Sequence, residues 1–155
     1  MPNRIVKSFT DFVNEQLEHQ SPIRIFCDMD GVLTDFDRGF KRLKANKKHR
    51  TPKEYEDKHG KHSIWKLIDK RKEFFWKRLP WTKDGRELWD YLQRYTPYIL
   101  SAPSRSEYSK DGKLQWIKLN LGFSQRKYVE TAEEHEERPE IRVILSNDKG
   151  QFART

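Results

Sequence analysis

Three short apolar runs constrain this chain more than any other feature. They are Ile23–Cys27, Pro97–Ala102 and Ile141–Ser146. Each is β-prone, too short for a stable helix, and bounded by polar or turn residues, so each reads as a buried strand. Between them the apolar spacing is helical. Residues 34–46 read as a helix. Residues 63–79 repeat Ile64, Leu67, Ile68, Phe75 and Leu79 until Pro80 stops them. Residues 83–95 place Leu88, Leu92 and Tyr95 on one face, and 109–121 do so with Leu114, Ile117 and Leu121 before Gly122. Strands alternating with helices predict an α/β fold with a mainly parallel sheet.

Two further segments complete this reading. Residues 4–19 carry Ile5, Phe9, Phe12, Val13 and Leu17 on one helical face, ended by Ser21-Pro22. Residues 47–63 and 130–140 are polar and read as loops, with broken helix in the first. A short strand is expected around 127–129. At 155 residues the chain supports one domain with an insertion, rather than two full domains.

Composition excludes several classes. A single Cys rules out an internal disulfide framework and a multi-cysteine zinc site. No apolar stretch approaches the roughly 18 residues of a membrane span, and no signal-peptide block opens the chain. A reducing, cytoplasmic setting is expected. Charged residues make up 36% of the chain, but five Trp, six Tyr and nine Phe argue for a folded domain rather than a solvated tail.

The charge is concentrated. Lys41 to Arg86 holds 17 Lys/Arg against 6 Asp/Glu, a net of +11, and the rest of the chain nets −3, recovering +8. That block lies between the first strand and the helix at 83–95, where it is too long for a simple crossover. It reads as an inserted cap over 41–81, with the core built from 23–40 and 82–155 and an extra helix in 1–22. Excess positive charge attracts phosphates, on nucleotides or on nucleic acid.

The chemistry concentrates after the first strand, in Asp28-Met-Asp30-Gly31. Open α/β sheets bind ligands at the carboxyl ends of their strands. A carboxylate there can act as a nucleophile, forming an aspartyl-phosphate. A second, two residues on, can protonate the leaving oxygen and then activate water. Carboxylates also suit Mg²⁺, so Asp28 and Asp30 are the candidate metal ligands. An EF-hand counted from Asp28 fails, because its key positions hold Val32, Leu33 and Gly39. Cys27 reads as a small buried hydrophobe.

These residues resemble the first motif of haloacid dehalogenase-like phosphatases. Tyr98-Ile-Leu-Ser101 resembles the second motif, whose hydroxyl binds a phosphate oxygen, and Val143-Ile-Leu-Ser-Asn-Asp-Lys149 resembles the third, which supplies a lysine. Asp28 to Phe36, Phe75 to Trp81 with Asp84-Gly85, and Lys113 to Gly122 bring the likeness closer to the 5'(3')-deoxyribonucleotidases and their phage and bacterial relatives. The resemblance implies a Rossmann-like parallel sheet with a small helical cap. It implies a Mg²⁺-dependent phosphatase acting on nucleoside monophosphates or another phosphorylated small molecule. Asp28 and Asp30 would be catalytic, and Ser101 and Lys149 would bind phosphate. Cap aromatics, Phe75 and Trp76 foremost, would stack on the base.

One departure stands out. The family's fourth motif, paired acids that complete the Mg²⁺ site, is expected after the lysine, and the sequence runs only six residues past Lys149. An alternative alignment makes Asn147-Asp148 the fourth motif and gives the lysine role to Lys110 or Lys113. Two other functions therefore stand beside the nucleotidase. One is a nucleic-acid end phosphatase using the basic cap. The other is a catalytically impaired binding or regulatory protein, whose open sheet edge would pair with a second copy or be covered by the N-terminal helix.

Overall fold

The computed structural model describes residues 23–123 and 127–154. The amphipathic segment at 4–19 lies outside the described residues. Within them, β1 (Phe26–Cys27), β2 (Tyr98–Ser101) and β3 (Val143–Leu145) form a parallel sheet in the order β1-β2-β3. Phe26 pairs with Tyr98 and Cys27 with Ile99, and on the other side of β2 Ile99 pairs with Val143 and Ser101 with Leu145. The strand expected at 127–129 is reduced to one parallel bridge, Val129 to Ile144, outside β3. Among the described residues no strand pairs with the other edge of β1.

The helices are α1 (Phe36–Lys41), α2 (Pro52–His59), α3 (Ile64–Lys70), α4 (Glu73–Lys77), α5 (Gly85–Leu92), α6 (Ser109–Leu121) and α7 (Ala132–Glu137). α2 is the helical part of the broken helix expected within 47–63, whereas α7 corrects the loop reading of 130–140. α2 starts at a complete capping box, Thr51 with Glu54, and has Pro52 in its first turn. α7 starts where the Thr131 hydroxyl accepts from the Glu134 N–H. In the other direction, the single helix expected over 63–79 is broken at Arg71–Lys72, where Lys72 takes φ 51°.

α6 matches its expected range and ends on Gly122 at φ 73°, the left-handed C-cap that glycine permits. Its closest helix neighbour is α4. Gly112 allows this approach, since a Cβ there would sit 2.4 Å from Trp76 Cβ and 2.7 Å from the Glu73 carbonyl.

The segment 41–81 does not carry a core of its own. Leu43, Ile64, Ile68, Phe75, Trp76 and Leu79 join Cys27, Met29, Trp89, Ile99, Trp116 and Val143 in one buried cluster. A smaller cluster of Leu100, Val129, Ile141, Ile144 and Phe152 lies on the other face of the sheet. The fold is thus a small mixed α/β unit, and the helices between β1 and α5 are packed onto it.

Candidate active site

Parallel strands bring their carboxyl ends to one side, and the chemistry-bearing residues follow those ends. Asp28 and Asp30 leave β1, Ser101 ends β2, and Lys149 follows β3 by four residues. The Ser146 N–H donates to the Ser101 carbonyl at 2.9 Å, which ties the second and third of these ends together.

The turn after β1 is built around one carbonyl. Met29 O accepts from the N–H groups of Val32, Leu33 and Thr34 at 3.3, 2.8 and 2.9 Å, and from Thr34 Oγ1 at 3.2 Å. Gly31 sits at φ 77°, a conformation that costs an L side chain but not glycine. Met29, Leu33 and Thr34 are fully buried and anchor the turn from below. The chain returning from the helical segment clamps it from outside. Thr82 N donates to Leu33 O at 2.9 Å, and Thr82 Oγ1 donates to Val32 O at 2.6 Å. The two carboxylates are thereby held on a rigid loop, with side chains 44% and 37% exposed.

Each carboxylate has its own lysine. Lys149 Nζ lies 3.0 Å from Asp28 Oδ1, and both side chains are partly solvated. The same oxygen accepts from the Met29 N–H at 2.7 Å. Asp28 Oδ2 has no hydrogen-bond partner among the described residues. Lys113, from α6, is fully buried. It donates to Asp30 Oδ2 at 2.6 Å, Ser101 Oγ at 3.0 Å and Ala102 O at 2.7 Å. Those three acceptors match the three protons of an ammonium group. Asp30 Oδ1 lies 3.2 Å from the same Thr34 hydroxyl and shares its one proton with Met29 O.

All four residues expected from the sequence therefore converge: Asp28 and Asp30 directly, Lys149 on Asp28, and Ser101 through Lys113. Lys113 is the addition. The third-motif resemblance puts the lysine role on Lys149, and the alternative alignment puts it on Lys110 or Lys113. A signal for it exists in the sequence. Lys113 precedes Trp116 and Ile117 by three and four residues, so it lies on the apolar face of α6, where a lysine needs a buried partner.

The expected stacking residues behave differently. Phe75 and Trp76 are 5% and 1% exposed. Phe75 meets Phe36 and Trp76 edge-on, and the Lys113 ammonium sits 5.5 Å from the Trp76 ring centre. They are core residues that present no open face to a base. In the run Phe74-Phe75-Trp76 it is Phe74 that points outward, at 45% exposure.

Cys27 is buried beneath the loop and donates to Asp28 O at 3.4 Å. Burial, and secondarily the Asp28 charge, push its thiol up to about 11. It therefore stays a neutral thiol, as its reading as a small hydrophobe requires.

A divalent cation has two carboxylates to meet here. Among the described residues no group of three or more His, Cys, Asp or Glu side chains converges. Mg²⁺ is commonly held by one or two carboxylates together with substrate phosphate. With three of their four oxygens already accepting, the two carboxylates fit a cation that arrives with a phosphate better than one held by protein alone. Comparison with known proteins found no matching family model and no matching curated protein.

Proposed function

We propose that this chain is a phosphomonoesterase of the haloacid dehalogenase-like kind that attacks phosphorus with Asp28. One observation carries the reading. Two carboxylates stand at a strand end, each beside a lysine, and one of those lysines, Lys113, also holds the buried hydroxyl of Ser101 from the next strand. Asp28 Oδ2 is the one carboxylate oxygen of the pair without a partner among the described residues, and so is the natural nucleophile.

In the first step Asp28 Oδ2 forms a bond to phosphorus while the bond from phosphorus to the leaving oxygen breaks. Asp30, whose two oxygens both accept in the free site, takes up a proton from solvent as substrate binds and gives it to that oxygen. In the second, water attacks phosphorus, returns a proton to Asp30, and frees the Asp28 carboxylate. Lys149 offsets the charge gathering at Asp28. Lys113 fixes Asp30 and Ser101 relative to each other, a positioning role. Asp28 and Asp30 would hold Mg²⁺ with the substrate phosphate, where it would supply further charge neutralisation. The substrate class is a (deoxy)nucleoside 5'-monophosphate, in keeping with the basic segment.

The test is phosphate release from a panel of deoxynucleoside monophosphates with added Mg²⁺. Turnover should fall by at least about a thousand-fold in Asp28→Asn, the scale expected on losing a nucleophile. Turnover retained in that variant would overturn the mechanism. A non-catalytic reading draws on the two lysines, which already neutralise both acids. It requires that no panel member release phosphate while a nucleotide still binds.

A further inference from the structure

Phe74 stands between two hollows. One of about 280 Å³ is lined by Gly39, Arg42, Leu43, Arg71, Phe74, Phe75 and Arg78. The other, about 380 Å³, is lined by Lys70, Arg71, Lys72, Phe74 and Arg78. Phe74, Arg71 and Arg78 belong to both. Each hollow is near the lower end of the roughly 300–1,000 Å³ of small-molecule sites. The charge around them is one-sided. Residues 70–78 contain five Lys/Arg and one acid, Glu73, and Arg42 adds a sixth cation from the end of α1.

None of these six cations forms an ion pair with an acid among the described residues. Arg78 and Lys77 lie 5.8 and 5.6 Å from the Phe74 ring centre, so the ring already serves as a platform for cations. A dense cluster of exposed cations beside an exposed aromatic suits a partner of opposite charge.

We infer that this face binds single-stranded nucleic acid, with Phe74 stacked against a base and Arg42, Arg71 and Arg78 on the flanking phosphates. Sequence-tolerant single-strand binding combines these two parts, a cationic track and an aromatic on which bases stack. Arginine's planar fork suits phosphate. A duplex keeps its bases stacked on each other and gives Phe74 nothing to hold. An anionic membrane is a poorer match, because one exposed aromatic offers little apolar surface for insertion. The inference does not depend on Asp28 acting on phosphate, since the face lies on the side of α4 away from Trp76 and Lys113.

The test measures binding alone, by fluorescence anisotropy of a labelled oligothymidylate of about ten nucleotides. It uses the Asp28→Asn chain, so that turnover plays no part. Affinity should fall with salt, and each of Arg42→Gln, Arg71→Gln and Arg78→Gln should lower the slope of log K against log salt by about 0.7. Phe74→Ala should weaken binding on the order of ten-fold and leave that slope unchanged, while Phe74→Trp should preserve it. Melting temperatures of all variants, matched to the parent, show that the fold is intact. The inference is overturned by absent binding, by tighter binding of a duplex of equal length, or by an unchanged slope in the triple arginine variant. Phe74-dependent binding to phosphatidylserine vesicles in place of the oligonucleotide would overturn it too.

Discussion

Replacing Lys113 by methionine should show that the two lysines at the site are different in kind. The Lys113 ammonium is fully buried and satisfies Asp30, Ser101 and Ala102. Methionine keeps much of the stem that packs near Trp76 but removes all three donors. Breaking a buried pair by deleting one partner costs about 3–5 kcal/mol. Asp30 is 37% exposed, so water re-solvates part of its carboxylate and lowers that figure. The Ser101 hydroxyl, fully buried, loses a partner and adds back about 1 kcal/mol. The expected loss is about 3 kcal/mol, or roughly 6–12 °C in melting temperature for a domain of this size. Lys149→Met removes a pair whose members are 37% and 44% exposed, and should cost about 0–1 kcal/mol. Urea unfolding of both variants measures this directly. Adding Asp30→Asn to Lys113→Met removes the stranded charge, so the double variant should be no less stable than the single one. Equal costs for the two lysines, or a double variant that is the sum of its parts, would refute the assignment of Lys113 as the buried partner of Asp30.

Other outcomes follow from the same geometry. Gly112→Ala forces a methyl group into Trp76 and the Glu73 carbonyl, and should destabilise by about 1–3 kcal/mol in the same urea assay, with loss of any activity that depends on Lys113. Cys27, with its thiol raised to about 11 and buried, should resist a thiol-directed reagent at pH 8 in the folded chain and react once urea unfolds it. His135 is buried among Phe26, Tyr98 and Phe152, and burial, then Arg24, lower its pKa below the ordinary 6.5. The unfolded chain then takes up a proton that the folded one refuses. Stability is full above pH 6.5 and declines as the pH falls through the window beneath it. Thermal melts across that range should show the decline, and His135→Leu should flatten it.

How much of this could be read from the sequence depended on how local each signal was. β2, β3 and α6 are legible because their apolar residues lie in compact runs that the sheet and core then bury. The Asp28-x-Asp30-Gly31 turn is equally local, and its backbone needs only the glycine at φ 77°. α2 and α7 were also written locally, in Thr51-x-x-Glu54 and Thr131-x-x-Glu134, but these caps are easily passed over in strongly polar segments with no apolar face. The break at Lys72 has no such signal, since Arg71-Lys72 contains neither Gly nor Pro. The sharing of roles between Lys113 and Lys149 is a matter of tertiary placement. It depends on α6 crossing behind β2 at a distance that Gly112 permits. The sequence favours Phe75 and Trp76 for stacking, and only the packing of α4 against α6 shows that those two rings are buried while Phe74 is exposed.

The most direct test of the central claim is to trap the phosphoryl group on the protein. A single turnover with a deoxynucleoside monophosphate and Mg²⁺, quenched in acid and mapped by peptide mass spectrometry, should place one phosphoryl group on Asp28. The adduct should be absent in Asp28→Asn. Phosphate release with the label on another residue, or undiminished release by Asp28→Asn, would contradict the account.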